Sequence, residues 1–274
     1  MTKIEVSSLH YYPIKSCRVS NPTKLELGER GPRFDRHWML IDQNNVFLTQ
    51  RQHSKLALIN PSVQEKHLVI PETPKLSLKI PIDNTGPRIR VRIWDDTCGA
   101  IDDGDLAAEF FSDFLKVSCR LVHMPEDFVR EKAPGFGRFE FADSWPLLLA
   151  SLPSLIDLNS RIITNGRTPV PMDRFRPNIV VDGNLPYAED VWSTISVGGK
   201  KIKIVKPCIR CPIPQVNQET GIKGLEPNKT LYTYRRISHK DVIFAQKAAA
   251  LDFGTITQGA EVEILEFKDP PKLT

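Results

Sequence analysis

The sequence predicts a β-rich α+β fold, a barrel or sandwich of short strands interrupted by a few short helices. Three observations point there. Short segments of alternating apolar and polar residues recur along most of the chain, divided by Pro, Asn and Gly. Twenty-two prolines against fifteen glycines mark many joints and leave little room for long helices. Only residues 105–116 and 153–163 repeat at helical intervals.

In order, residues 3–12 and 23–27 read as strands. Residues 37–42 and 46–50 form a hairpin about Gln43-Asn44-Asn45, where Asn tolerates the left-handed backbone of a tight turn. Residues 56–63, 67–70, 76–80 and 88–94 are further strands. Leu106, Ala107, Phe110, Phe111 and Phe114 then recur as one helical face, with acidic residues at its start. Residues 119–124 return to strand. Residues 125–142, with Pro125, Pro134, Gly135 and Gly137, read as a long mobile connection. Trp145 to Ala150 is strongly apolar, and Ser151 starts a helix with Pro153 in its first turn. Residues 178–182, 191–197, 200–206, 213–217, 241–250 and 261–267 complete a second β-rich set. A boundary near residue 122 divides the chain into domains 1–122 and 123–274. Trp94 and Trp145 read as core residues.

The 274 residues, 41% of them hydrophobic, suffice for one large core or two small ones. A net charge of +4 without charge runs gives no sign of a nucleic-acid polymer as partner. Five cysteines, an odd number, do not make a disulfide framework, so a reducing compartment, the cytoplasm, is the expected setting. No leader-like segment and no apolar run of membrane-spanning length is read, so no membrane is expected.

The chemistry concentrates at Lys206-Pro207-Cys208-Ile209-Arg210-Cys211-Pro212. Two prolines remove amide donors, so the thiols are expected on a loop at a strand end. A Cys-x-x-Cys can be structural zinc, a thioredoxin-type dithiol, a pair without chemistry, or a source of one thiolate for a soft metal. Against zinc, Cys17, Cys98 and Cys119 form no second pair and His239 stands alone. Against a thioredoxin-type site, nothing after Cys211 reads as a helix.

Lys-Pro-Cys-x-Arg-Cys followed by Val216-Asn217 and Thr220-Gly221 resembles the signature of the MOSC family, the molybdenum cofactor sulfurase C-terminal domain. The likeness is to the branch containing the mitochondrial amidoxime reducing component and its bacterial counterparts. It extends through Tyr12-Pro13-Ile14-Lys15-Ser16-Cys17, Asp35 to Leu40, Thr49 to Gln52, Asp143-Ser144-Trp145-Pro146, Arg174 to Val180, and Ala188-Glu189-Asp190 with Trp192. The resemblance implies a β-barrel MOSC domain at 123–274 and a smaller N-terminal β-barrel region at 1–122, with residues 1–37 packing in space against the second domain.

The resemblance also implies a molybdenum cofactor. A pyranopterin holds its metal through a dithiolene and carries a phosphate, so its protein supplies a soft ligand and cationic donors. Matched to family positions, Cys211 is the metal ligand. Lys15, Ser16, Arg36, Arg176, Asn178 and Arg210 contact the pterin or its phosphate, and Asp143 and Ser144 lie beside the metal end. Cys208 reads as structural or as a support behind the ligands, and His37 as packing. The implied reaction is reduction of N-hydroxylated compounds such as amidoximes, hydroxylamines and N-hydroxylated bases: N–OH + 2e⁻ + 2H⁺ → N–H + H₂O. The sequence carries no iron–sulfur ligation run and no nicotinamide fingerprint. A separate ferredoxin, flavoprotein or cytochrome is therefore the expected donor. The alternative is a sulfur carrier or cofactor carrier with Cys211 as a persulfide site.

Overall fold

The computed structural model describes residues 3–73, 76–131 and 137–274. Its centre is a seven-stranded sheet in the order Glu5–Leu9, Ile179–Asp182, Leu147–Ser151, Ile243–Ala250, Lys200–Ile209, Trp192–Val197, Val262–Phe267. One neighbouring pair is parallel, Leu147–Ser151 with Ile179–Asp182, and the rest are antiparallel. The first and last strands meet at a Glu5–Glu261 bridge, where Val6 N–H reaches Ala260 O and Val262 N–H reaches Ile4 O at 2.9 Å each. Joining the edges in this way leaves few backbone groups unpaired. Val6, Leu9, Leu147, Leu149, Ile179, Val181, Ile195, Ile202 and Ile204 fill one core. The N-terminal strand thus packs among residues from 147 onward.

A four-stranded sheet, Trp38–Ile41, Arg120–His123, Asp96–Asp102, Arg88–Ile93, and a three-stranded one, Ser62–Gln64, His67–Thr73, Leu76–Pro81, carry the other half. Trp38–Ile41 is buried on both faces. Its alternation sends Trp38 and Leu40 into one core and Met39 and Ile41 into another, as period-two geometry requires. The helix Asp105–Leu115 buries Ala107, Phe110, Phe111 and Leu115, whereas Leu106, expected on that face, is 71% exposed.

Helix Leu152–Thr164 begins as the sequence indicates: Ser151 Oγ accepts the Ser154 N–H, with Pro153 in the first turn. It packs Leu155, Leu158 and Ile162 against Phe175 and Phe244.

Several expectations need correction. Ser54–Leu58 and Ile213–Gln215 are 3₁₀ turns, not strands, while Asp96–Asp102 and Gly254–Thr257 are strands that the sequence reading passes over. The strand at Lys200 does not stop before the cysteines; it continues through Pro207 and Cys208 to Ile209. The proline is tolerated because Trp192–Val197 pairs only as far as Lys203, leaving one side of the strand open, and register shifts flank Pro207 on the other. Of the connection expected at 125–142, residues 132–136 lie outside the described residues. Its described flanks are anchored rather than mobile: Phe139 and Phe141 are buried, and the Arg130 guanidinium donates to Glu140 O and Ala142 O. No helix among the described residues is long and apolar enough to cross a membrane.

Candidate functional site

A cavity of about 350 Å³ opens between the two halves of the molecule. It is lined by Lys15, Ser16, Arg36, Asp143, Ser144, Arg176, Asn178, Arg210 and Cys211, every residue that sequence reasoning selected, together with Arg51, Trp145, Cys208 and Lys247. Its volume lies in the range of ~300–1,000 Å³ usual for small-molecule sites.

Backbone geometry brings these residues in from distant segments. After the first strand the chain turns at Ser16, φ 67°, and Lys15 N–H is fixed to Trp38 O at 2.7 Å. Arg36, φ 54°, donates its N–H to Tyr12 O at 2.7 Å, and Arg176, φ 59°, ends the 3₁₀ turn Met172–Phe175. Three cavity residues thus hold left-handed backbone that side chains seldom adopt, at a cost of about 1–3 kcal/mol each. Asn178, 1% exposed, accepts from Leu148 N–H at 3.1 Å and donates to His10 O at 3.2 Å. Its amide ties the first strand to the Leu147–Ser151 strand and leaves limited capacity for a ligand.

Six cations, Lys15, Arg36, Arg51, Arg176, Arg210 and Lys247, face a single lining carboxylate, Asp143. Asp143 ion-pairs Lys15 and meets Arg51 Nη2 at 3.1 Å. Burial pushes its pKa up, but the two cations overcome that and hold it well below the usual carboxylate range. Burial also pulls Lys15 down, to about 8, despite Asp143. Arg36 pairs with buried Asp35. The guanidiniums of Arg36 and Arg176 both lie over the Tyr12 ring, 4.2 and 4.1 Å from its centroid, and Arg176 Nη1 donates to Cys17 O at 2.6 Å. Burial and the neighbouring Arg36 lower Arg176 to about 10, still cationic at neutral pH. Among the described residues, Arg176, Arg210 and Lys247 have no carboxylate partner.

At the strand end, Arg210 Nη1 donates to Cys208 Sγ at 3.0 Å and Nη2 to Phe175 O at 2.9 Å, while its buried Nε has no partner. Cys208 is 9% exposed; Cys211 is half-buried, and its carbonyl accepts from Asn228 Nδ2 at 3.1 Å. Among the described residues no cluster of three or more His, Cys, Asp or Glu could hold a metal, so a zinc reading of the cysteine pair finds no support.

Sequence reasoning gave no role to Arg51, Tyr12 or Lys247. Arg51 and Tyr12 stand within segments carrying the family resemblance. Lys247 carries a weaker signal, the one charged residue of a strand that is apolar apart from it and Gln246, and burial lowers its pKa. Trp145 is half-buried against the cavity and Trp94 is 47% exposed, so neither is a core residue.

Fold and cavity together define a β-barrel protein whose cationic, thiol-bearing site suits a small anionic ligand. The chain belongs to the MOSC family: the MOSC N-terminal beta barrel domain matches residues 3–118 and the MOSC domain residues 137–263. It is 34% identical to mitochondrial amidoxime-reducing component 1 of Mus musculus, the match covering 95% of this chain and 82% of that one. Mitochondrial amidoxime reducing component 2 of Rattus norvegicus is 31% identical over 84% of this chain and 72% of its own. Molybdenum cofactor sulfurase of Bos taurus is 27% identical over 79% of this chain and 27% of its own length.

Proposed function

We propose that the cavity holds a pyranopterin molybdenum cofactor and that the protein is an oxidoreductase reducing N-hydroxylated compounds. The observation that carries this reading is the meeting of Cys211 with the cationic set in one cavity. The residues fit such a group: a half-buried thiol for a soft metal, three cations without a carboxylate partner for a phosphate, and the orphaned Arg210 Nε for an anionic acceptor. Cys211 would hold the metal, and Lys15, Ser16, Arg36, Arg176 and Arg210 the pterin and its phosphate, with Asn178 fixing the strands behind them. When bound, the cofactor supplies two-electron redox chemistry and an acceptor for oxygen.

The chain's own residues orient substrate and manage protons. Asp143, kept ionised, is an acceptor that can hold the hydroxyl of N–OH beside Ser144, and for the same reason it is a poor acid at neutral pH. Lys15 Nζ, at about 8, retains its proton there and can release it. Overall, N–OH + 2e⁻ + 2H⁺ → N–H + H₂O. The electrons come from a separate ferredoxin, flavoprotein or cytochrome, because the sequence has neither an iron–sulfur ligation run nor a nicotinamide fingerprint. The cytoplasm is the proposed location, following from cysteine usage.

Purified protein supplied with a dithionite-reduced dye should reduce an amidoxime without a second protein, and NADH alone should give no turnover. Turnover with NADH and purified protein would contradict the electron-donor assignment. A second reading, a sulfur or cofactor carrier with a Cys211 persulfide, draws on the partial exposure of that thiol and the similarity to sulfurases. It predicts sulfane sulfur on Cys211 and no N–OH reduction.

A further inference from the structure

Trp94 stands at the tip of the hairpin formed by Arg88–Ile93 and Asp96–Asp102, on the opposite half of the molecule from Cys208 and Cys211. It does not line the cavity, but it touches two residues that do. Its indole Nε1 donates to Asp143 Oδ1 at 3.3 Å, and the Arg51 guanidinium lies over its ring, 4.7 Å from the centroid. Phe47 meets the same ring at 4.9 Å between centroids and 67° between planes. The backbone at Trp94 is left-handed, φ 54°, a conformation uncommon for a bulky residue. An exposed tryptophan needs no explanation by itself. This one is held in strained backbone by two side chains of the cavity lining, Arg51 and Asp143, and by the buried Phe47, and it still leaves 47% of its surface to solvent.

We propose that Trp94, fixed by Arg51, Phe47 and Asp143, is a stacking platform that selects planar aromatic N-hydroxylated substrates. The inference rests on the reductase reading for its reaction, but the platform itself is a binding claim. A flat ring laid on the exposed part of the indole would lie beside Asp143, which Trp94 Nε1 already holds, next to the site where the N–OH group must sit. Aromatic stacking is non-directional within the plane, so the platform would accept different aryl groups while disfavouring saturated rings of the same size.

The test compares benzamidoxime with cyclohexanecarboxamidoxime on wild type, Trp94→Phe and Trp94→Ala. Equilibrium binding of each compound to purified protein is read by calorimetry, and KM and kcat by dye-coupled turnover. Wild type should bind the aryl compound roughly three- to tenfold more tightly than the saturated one. Trp94→Phe, which keeps a ring but loses the N–H, should retain most of that preference. Trp94→Ala should abolish it by raising KM for the aryl compound with little change in kcat, its melting temperature serving as a folding control. Equal binding of the two rings to wild type, or an unchanged preference in folded Trp94→Ala, overturns the platform. An intact binding preference without any N–OH turnover would instead overturn the reductase reading and leave the platform standing.

Discussion

Lys15 Nζ is ion-paired to Asp143, 128 positions away in sequence, and Arg51 holds the same carboxylate by its other oxygen at 3.1 Å. The pair joins the turn after the first strand to the segment that enters the Leu147–Ser151 strand, so it shapes the cavity and sets its charge. Lys15 falls from the ordinary 10.5 to about 8 because burial outweighs Asp143. Between about pH 8 and 10.5 the unfolded chain therefore binds a proton that the folded chain has released, and the contribution of Lys15 to stability rises with pH across that window. Urea unfolding of wild type and Lys15→Met at pH 7.5 and 9.5 should show their difference moving in favour of wild type at the higher pH. A constant difference would mean that Lys15 is not the depressed group. Ligand capture has the opposite sign, since the charge lent to the cavity is lost above about pH 8.

Arg36 and Arg176 share the Tyr12 ring and face one cavity. A charge-assisted hydrogen bond contributes about 1.5–3 kcal/mol, so removing either arginine should weaken cofactor retention roughly ten- to a hundredfold. Loss of the stacking contact should also lower the melting temperature by roughly 2–4 °C. The double variant should purify without pterin, because contacts to one ligand are coupled. Full pterin occupancy in a folded double variant would remove both arginines from the site.

The two cysteines should separate cleanly. Cys211→Ser replaces a soft thiolate with a hard hydroxyl and should abolish both activity and retained metal. Cys208→Ser keeps an acceptor for Arg210 and should retain most of both. Equal losses, measured as metal per chain and turnover, would point to a dithiol site instead.

Glu189 is 1% exposed and accepts from Ser154 Oγ at 2.8 and 3.0 Å; burial raises it from 4.5 to about 7. The folded state then binds the extra proton between about pH 4.5 and 7, so stability from this residue falls as pH rises through that window. Glu189→Gln should remove this dependence and gain on wild type between pH 5 and 8 in denaturant midpoints. Parallel pH profiles would show that Glu189 is ionised throughout.

The strand and helix pattern was legible wherever one face is buried, as at Leu152–Thr164, whose cap and first-turn proline are both in the sequence. It was least legible where tertiary context overrides local rules. Pro207 reads as a break, yet the strand passes through it because one side has no partner there. The residues that line the cavity were legible only through the motifs of the family resemblance, since Lys15, Arg36, Arg176 and Cys211 lie far apart in sequence and meet only through the fold. Arg51, although inside the Thr49 to Gln52 segment, and Lys247 were passed over because what lies opposite them in the cavity is set by the fold and not by their neighbours in sequence. Trp94 was misread because apolarity alone cannot separate a core indole from one pinned at a rim.

The central claim is that Cys211 and the cationic cavity hold a molybdenum pterin. It is tested most directly by measuring metal and acid-released pterin in protein purified from a molybdenum-sufficient host. The account predicts molybdenum and fluorescent pterin each near one per chain in wild type, with molybdenum lost in Cys211→Ser. Wild-type protein carrying neither, or Cys211→Ser retaining molybdenum at the wild-type level, would contradict it.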